Sequence, residues 1–172
     1  MSTGACAGAR EAQVMTDTVT VDSLVLANHV EVVNGLLYVS GGGWTDHRRP
    51  LPPGGAPPPS HLGIGVCVFV PWNETNRPHV LTVLIEDEDG NPLVKIEGHI
   101  NVGRPPQLPQ GAAQPVMLGF PLDVPFPHAG GYRVVASIDG DEAAKRWPFR
   151  VHDVPVAGSP AAGDGPTGGT QM

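Results

Sequence analysis

The sequence predicts an all-β protein, a two-sheet antiparallel β-sandwich of the immunoglobulin-like type. Three observations support this prediction. Apolar residues alternate with period two along most of the chain, which is typical of half-buried strands. No window of helical length repeats apolar residues at the spacing of an amphipathic helix. Turn sequences and two long loops separate the apolar segments at intervals that suit a sandwich.

Eight strands are expected. The segments Leu62–Val70 and Leu93–Val102 have the clearest alternation, because every second residue is aliphatic or glycine and faces the same side. In Val116–Val124 the corresponding face carries valine, leucine and phenylalanine. The remaining strands are expected at Val19–Ala27, Leu36–Ser40, His79–Glu86, Tyr132–Ile138 and Trp147–Val151.

The turns between these segments predict antiparallel hairpins. Asp89-Gly90 lies between the strands at His79–Glu86 and Leu93–Val102, and Asp139-Gly140 lies between the last two strands. Asp-Gly pairs readily adopt the positive φ angles of tight hairpin turns. The stretch Pro127–Tyr132 resembles the turn that enters a late strand of immunoglobulin-like domains, where a tyrosine anchors the corner.

Glycine and proline are concentrated in a few segments. The chain of 172 residues contains 23 glycines and 20 prolines, about twice their usual share. Eleven of the twenty residues from Gly41 to Ser60 are glycine or proline, which predicts one long mobile loop over 41–60. Residues 1–18 and 154–172 lack an apolar pattern and are expected to be disordered tails. One β-sandwich domain is therefore expected over 19–153.

Charge and cysteine content limit the expected partners and compartment. The net charge of −7 makes a nucleic-acid partner unexpected. The longest apolar stretch, Ile64–Val70, is too short for a transmembrane helix, and the first residues lack the pattern of a signal peptide. Cys6 and Cys67 are expected to be free thiols. These features predict a cytoplasmic protein without a membrane partner.

Residues with catalytic or ligand-binding chemistry form no recognisable motif. Gly41–Gly43 lacks the Lys-Ser/Thr pair and the helix that follow a phosphate-binding loop. Cys67 lies between two valines of a strand, where an inert thiol is expected. The seven histidines lack the spacing of a metal site. No catalytic residue, metal or other cofactor is therefore expected. The histidines are His29, His47, His61, His79, His99, His128 and His152.

Four segments together resemble a known family. They are Asn34–Trp44, Val70–Arg77, Gly103–Pro106, and Ile138–Gly140 followed by Trp147–Val151. These segments are similar to a family of uncharacterised bacterial proteins, common in actinobacteria, that is classed as a domain of unknown function. The resemblance extends from Val19 to Val151 and implies a β-sandwich in a bacterial cytoplasm. It implies no activity and assigns no functional residues.

The segment from Trp72 to His79 is a candidate recognition loop. Glu74 and Arg77 can form a local ion pair, and Thr75 can close a side-chain-to-backbone turn. Asn76 tolerates unusual backbone angles. The alternative to a recognition loop is an ordered connection between the two sheets.

Two tryptophans would be the aromatic anchors of this recognition site. Trp72 is in phase with Val68 and Val70, so we expect it to be a buried pin of the preceding strand. Trp44 has no apolar stripe after it and is expected to be the more exposed of the two. The candidate site residues are Trp44, Trp72, Glu74 and Arg77.

The leading hypothesis is a non-enzymatic module that binds another protein or assembles with itself. The alternative is a carbohydrate- or small-ligand-binding domain that uses Trp44, Trp72 and Trp147. An enzyme is the third hypothesis, and it would require Asp46-His47 and Glu74 to converge without a motif. An apolar patch or a free strand edge would favour the first hypothesis, an aromatic platform the second, and a deep polar cleft the third.

Overall fold

The computed structural model describes residues 17–141 and 144–156, and in these ranges it contains nine β-strands and one short 3-10 turn. All eight predicted strands are present, because the period-two pattern gave most of them one apolar face. The strands are β1 (Thr20–Val33), β2 (Leu36–Gly42), β3 (Asp46–Leu51), β4 (Ser60–Pro71), β5 (Pro78–Asp87), β6 (Pro92–Asn101), β7 (Ala113–Val124), β8 (Gly130–Ile138) and β9 (Lys145–Pro155), and the 3-10 turn is Trp72–Glu74.

The strands form two sheets around one core. The first sheet has the order β2-β1-β4-β7, and its strands are all antiparallel. The second sheet has the order β3-β9-β8-β5-β6. Buried apolar side chains from both sheets join in a single cluster. The prediction of an all-β protein with two sheets is confirmed.

The core contains the apolar stripes read from the sequence. The five inward residues predicted for β4 are all fully buried, and those predicted for β7 pack against the same cluster. Each fully buried aliphatic side chain contributes about 1.5–3 kcal/mol relative to exposure. The five residues of β4 are Leu62, Ile64, Val66, Val68 and Val70.

Both predicted Asp-Gly hairpins and the predicted tyrosine corner are present. β5 pairs with β6 and β8 pairs with β9, each in antiparallel register. Asp139 and Gly140 have positive φ angles of 51° and 77°. The hydroxyl of Tyr132 donates to the carbonyl of His128 at 2.8 Å, which ties the start of β8 to the turn before it.

The purely antiparallel prediction is wrong for the second sheet, because β3 runs parallel to β9. The same strand corrects the predicted loop over 41–60, since residues 46–51 are paired from Asp46↔Arg150 to Leu51↔Pro155. Sequence alternation could not identify β3, which is short, polar and contains proline. Buried Arg49 attaches it to the fold through an ion pair with Asp153.

The predicted boundary of the C-terminal tail differs from the structure. The expected C-terminal tail begins at residue 154, but β9 continues to Pro155 because Val154 and Pro155 pair with Pro50 and Leu51 of β3. Residues 17–18 precede β1 as a bend. The rest of both predicted tails, 1–16 and 157–172, lies outside the described residues, as does Cys6.

The β1–β2 hairpin folds over the outer face of β4 and β7. Two glycines of β4 permit this close approach. A Cβ atom on Gly63 would lie 2.7 Å from the backbone nitrogen of Val30, and one on Gly65 would lie 2.9 Å from the side chain of Leu37. Real side chains do not fit at such distances, so glycine is required for the hairpin to lie there.

None of the helical segments in the described ranges is long and apolar enough to cross a membrane.

Candidate functional site

The predicted recognition loop is an ordered connection from β4 in one sheet to β5 in the other. The hydroxyl of Thr75 donates to the carbonyl of Trp72 at 2.8 Å, as expected from its residue type. Asn76 has a φ of 63°, and its N–H donates to the carbonyl of Val102. Glu74 and Arg77 form the expected ion pair at 3.3 Å, which is largely exposed on the arginine side.

Arg104, from the loop before β7, completes this connection. Its guanidinium lies over the Trp72 ring, with the carbon at 3.6 Å from the ring centroid. The same guanidinium donates to the hydroxyl of Thr75 and to the carbonyl of Trp72, both at 2.9 Å. Arg104 therefore occupies one face of the tryptophan that would serve as the aromatic anchor.

His79, at the start of β5, contacts the end of this connection and is almost fully buried. Its Nδ1 lies 2.7 Å from a carboxylate oxygen of Asp139, and its Nε2 lies 3.1 Å from the carbonyl of Glu74. Both partners are acceptors, so both contacts are hydrogen bonds when the ring is an imidazolium that donates from both nitrogens. Burial opposes that charged form, but the hydrogen bonds to Asp139 and Glu74 outweigh it and raise the pKa of His79.

Both tryptophans are half-buried, and Trp72 differs from its predicted environment. Trp72 is half-buried under Arg104 and is not among the side chains packed on the core cluster, so the prediction of a buried pin is wrong. The strand ends at Pro71, and the 3-10 turn takes Trp72 out of phase with Val70. Trp44, predicted to be the more exposed, packs on the core with its ring 5.7 Å from Phe149.

The structure does not bring the predicted anchors together. Gly43, next to Trp44, donates to the carbonyl of Leu26, which pairs with Ile64 of β4. Trp72 follows eight residues after Ile64, or roughly 26 Å along an extended strand. Trp147 joins Trp44 by donating its indole N–H to the carbonyl of Trp44 at 3.0 Å. The three tryptophans thus form no shared platform.

The acids and histidines of the enzyme hypothesis also lie in separate pairs. Asp46 accepts a hydrogen bond from His152, which lowers the pKa of the Asp46 carboxyl, whereas His47 packs on Trp44. Glu74 pairs with Arg77 at the other end of β4. In the part of the chain that the structure describes, no group of three or more His, Cys, Asp or Glu side chains is placed to hold a metal ion.

A cluster of exposed apolar side chains lies on the β1–β2 hairpin. Leu36 is 60% exposed and Tyr38 is 50% exposed, although both belong to a regular strand. Val33 at the tip of the hairpin extends the cluster, because it pairs with Leu36 and faces the same side. We call this set the hairpin surface. Its residues are Val33, Leu36 and Tyr38, whereas the partly exposed Val32 and Val39 belong to the opposite face, which covers β4 and β7.

An open apolar groove of about 700 Å³ adjoins the hairpin surface. One wall is β2, and the floor is the part of the first sheet that the hairpin leaves uncovered. The floor includes Cys67 and Phe69 of β4 and Met117 of β7. Asp22 is the one charged residue that lines it. The nine lining residues are Asp22, Ser23, Leu36, Leu37, Tyr38, Cys67, Phe69, Pro115 and Met117.

The thiol of Cys67 belongs to this apolar floor. Burial and the nearby carboxylate of Asp22 raise the pKa of Cys67, while a hydrogen bond with Ser23 opposes that shift in part. The raised pKa favours the neutral thiol, and Cys67 is a free cysteine in the structure.

Sequence reasoning missed the hairpin surface, although a signal was present. Leu36, Leu37, Tyr38 and Val39 are four consecutive apolar residues in a strand predicted to be half-buried. Strict alternation would place polar residues at two of these positions. The run indicates a strand with two apolar faces, of which one covers β4 and the other needs a different partner.

Comparison with known proteins places the chain in a family without an assigned activity. Residues 22–152 match the model described as "Family of unknown function (DUF6941)". The predicted resemblance to a family of unknown function is confirmed at that level. No curated protein matches the chain.

Proposed function

The chain belongs to the DUF6941 family of unknown function, and we propose that it is a non-enzymatic module that binds another protein through the hairpin surface and the adjoining groove. The observation that carries this proposal is the cluster of three exposed apolar side chains on the outward face of one hairpin, Val33, Leu36 and Tyr38. Contiguous apolar patches of this kind, rimmed by polar residues, mark interaction sites on folded proteins.

The residue types of the hairpin surface suit a protein partner. A tyrosine, a leucine and a valine supply the apolar contact area and the amphipathic aromatic that interface centres favour. The hairpin is also short of charge, since Glu31 is the one charged residue between Asn28 and Gly42. In a chain with a net charge of −7, this low charge limits the local repulsion of another acidic protein.

Further properties belong to the same proposal. We infer an immunoglobulin-like arrangement of the sheets, which the tyrosine corner at Tyr132 supports. The resemblance of the four segments supports a bacterial, actinobacterial-type origin. The free thiol of Cys67 suits a reducing cytoplasm. The acidic net charge argues against nucleic acid as a partner, and no membrane partner is proposed.

Site-specific photo-cross-linking in cells of the native host tests the proposal. A photoreactive amino acid is placed at Leu36 or Tyr38 on the hairpin, and at Lys95 or Glu97 on exposed β6 as matched controls. We expect one protein to cross-link from both hairpin positions and from neither control. Mass spectrometry identifies the cross-linked partner. Titration of the purified partner against the full chain then confirms binding.

Two results would contradict the proposal. The first is the absence of any specific cross-link from the hairpin positions. The second is an equal yield of the same adducts from β6, because this would show that the apolar hairpin is not the preferred contact surface.

A further inference from the structure

We propose that the groove binds an extended segment of a partner protein, which adds as a new strand to the free edge of β2. The inference rests on the proposed function and specifies the form of the partner. The segment has about five to seven residues, to match the seven of β2, and is aliphatic at alternate positions. It carries a lysine or arginine that meets Asp22.

Among the strands that the structure describes, β2 is the one sheet edge without a protective residue. Folded proteins block edge strands with proline, charged side chains or very short strands. β7 contains Pro115 and Pro121, β6 contains Pro92 and Lys95, and β3 has only six residues, three of them charged. β2 has neither proline nor charge, and six of its seven residues are exposed. Its edge is therefore open to pairing.

The floor of the groove continues a surface that the hairpin already covers. The outward residues of β4 are Gly63, Gly65, Cys67 and Phe69, in that order. The hairpin lies on the two glycines, with Leu37 above Gly65. Phe69 and its neighbour Met117 remain partly exposed. A strand added to β2 would lie over these apolar side chains, so backbone pairing and burial would act together.

The charge of Asp22 determines which residue type the bound segment carries next to it. Asp22 is exposed, lines the groove, and is its one charged residue. A basic residue of the bound segment would form an ion pair with it, whereas an acidic residue would meet repulsion from Asp22 and from the net charge of −7. The remaining lining residues are apolar apart from Ser23.

A lone segment fits this place better than the β2 strand of a second copy. In a symmetric dimer, the β2 strands of the two copies would pair edge to edge about a twofold axis. Both hairpins would then lie in the same layer. Each hairpin covers its own β4 on the same side, as the contacts of Gly63 and Gly65 show. The two sheets would then compete for the space beneath the paired strands. A segment without a sheet attached avoids this clash.

A phage-displayed library of random dodecapeptides, selected on the full chain, tests the proposal. Selected peptides are titrated by calorimetry against the wild type and matched variants. Leu36→Lys places a cation on the groove wall, and Val156→Lys changes an equally apolar, exposed residue elsewhere. Asp22→Asn removes the charge of the groove, and Asp89→Asn is its control on the distant β5–β6 turn.

We expect enriched peptides with alternating aliphatic residues and a lysine or arginine. Leu36→Lys weakens their binding at least about tenfold, and Val156→Lys leaves it unchanged. Asp22→Asn weakens binding about twofold to fivefold at low salt, and this difference disappears at high salt. Asp89→Asn has no effect.

The proposal is overturned if no alternating pattern is enriched, or if Leu36→Lys retains full binding. It is also overturned if the wild type forms a dimer in analytical ultracentrifugation that Leu36→Lys dissociates, because a second copy would then occupy the edge. In each of these cases a specific cross-link from Tyr38 to a folded protein would still support the proposed function, so the two failures are distinguishable.

Discussion

Arg49 is the clearest case of one residue that determines local structure. It is 3% exposed, pairs with Asp153 of β9, and donates to the carbonyl of Phe126. Arg49→Ala would leave both acceptors without their donor, so we expect a loss of about 3 kcal/mol in the free energy of unfolding. The neighbouring, exposed Arg48 is the matched control, and Arg48→Ala is expected to change stability by less than about 0.5 kcal/mol. Urea unfolding measures both, and equal effects would contradict the anchoring role of Arg49.

His79 gives the protein a pH-dependent contribution to stability. Because folding raises its pKa, the stabilisation is fully present below the ordinary pKa of 6.5 and is lost as pH rises through the folded-state value. We therefore expect the stability difference between the wild type and His79→Gln to be larger at pH 6 than at pH 8. Comparison with the variant cancels the opposite contribution of His47, whose pKa burial and nearby Arg49 lower. If the stability difference between the two proteins grew with pH, His79 could not be a folded-state imidazolium that is hydrogen-bonded to both Asp139 and Glu74.

Single residues also mark the limit of sequence reasoning. The local contacts of Glu74, Thr75 and Asn76 were predictable, because they depend on neighbours within a few positions. The environment of Trp72 was not, since it depends on Arg104 from a distant loop. The phase of a strand predicts burial only as far as the strand continues, and β4 ends at Pro71.

At the level of elements, the approach of the hairpin to β4 depends on glycine. Gly65→Ala would place a Cβ atom 2.9 Å from both Leu37 and Val25. We expect this variant to lose about 1–3 kcal/mol of stability, because the hairpin must move outward. Gly103 has open space around its Cβ position, so Gly103→Ala is expected to be nearly neutral. Thermal unfolding compares the two variants, and a neutral Gly65→Ala would show that the hairpin is not held against the sheet.

Strands with one apolar face could be predicted, and β3 could not. The alternation of β4, β6 and β7 encodes a buried face directly in the sequence. β3 has no such face, and its place at the parallel edge depends on pairing with residues about a hundred positions later. Separation along the sequence also explains why the groove was not predicted, because its lining residues come from β1, β2, β4 and β7.

At the scale of the whole molecule, both sheets contribute to one core cluster. We therefore expect the described domain to unfold in a single cooperative transition. Tryptophan fluorescence follows Trp44 and Trp147 on the core as well as Trp72 outside it, whereas far-ultraviolet circular dichroism follows the sheets. The two signals are expected to change at the same urea concentration. Separate midpoints would indicate that the sheets are independently stable.

The central claim is that the hairpin surface serves binding rather than folding. The most direct test measures two quantities for the variant Leu36→Ser/Tyr38→Ser: its affinity for the partner identified by cross-linking, and its free energy of unfolding. Both side chains are at least half exposed, so we expect stability within about 1 kcal/mol of the wild type. Loss of two apolar contacts at the interface is expected to weaken binding at least about tenfold. Unchanged affinity, or a large loss of stability, would contradict the account.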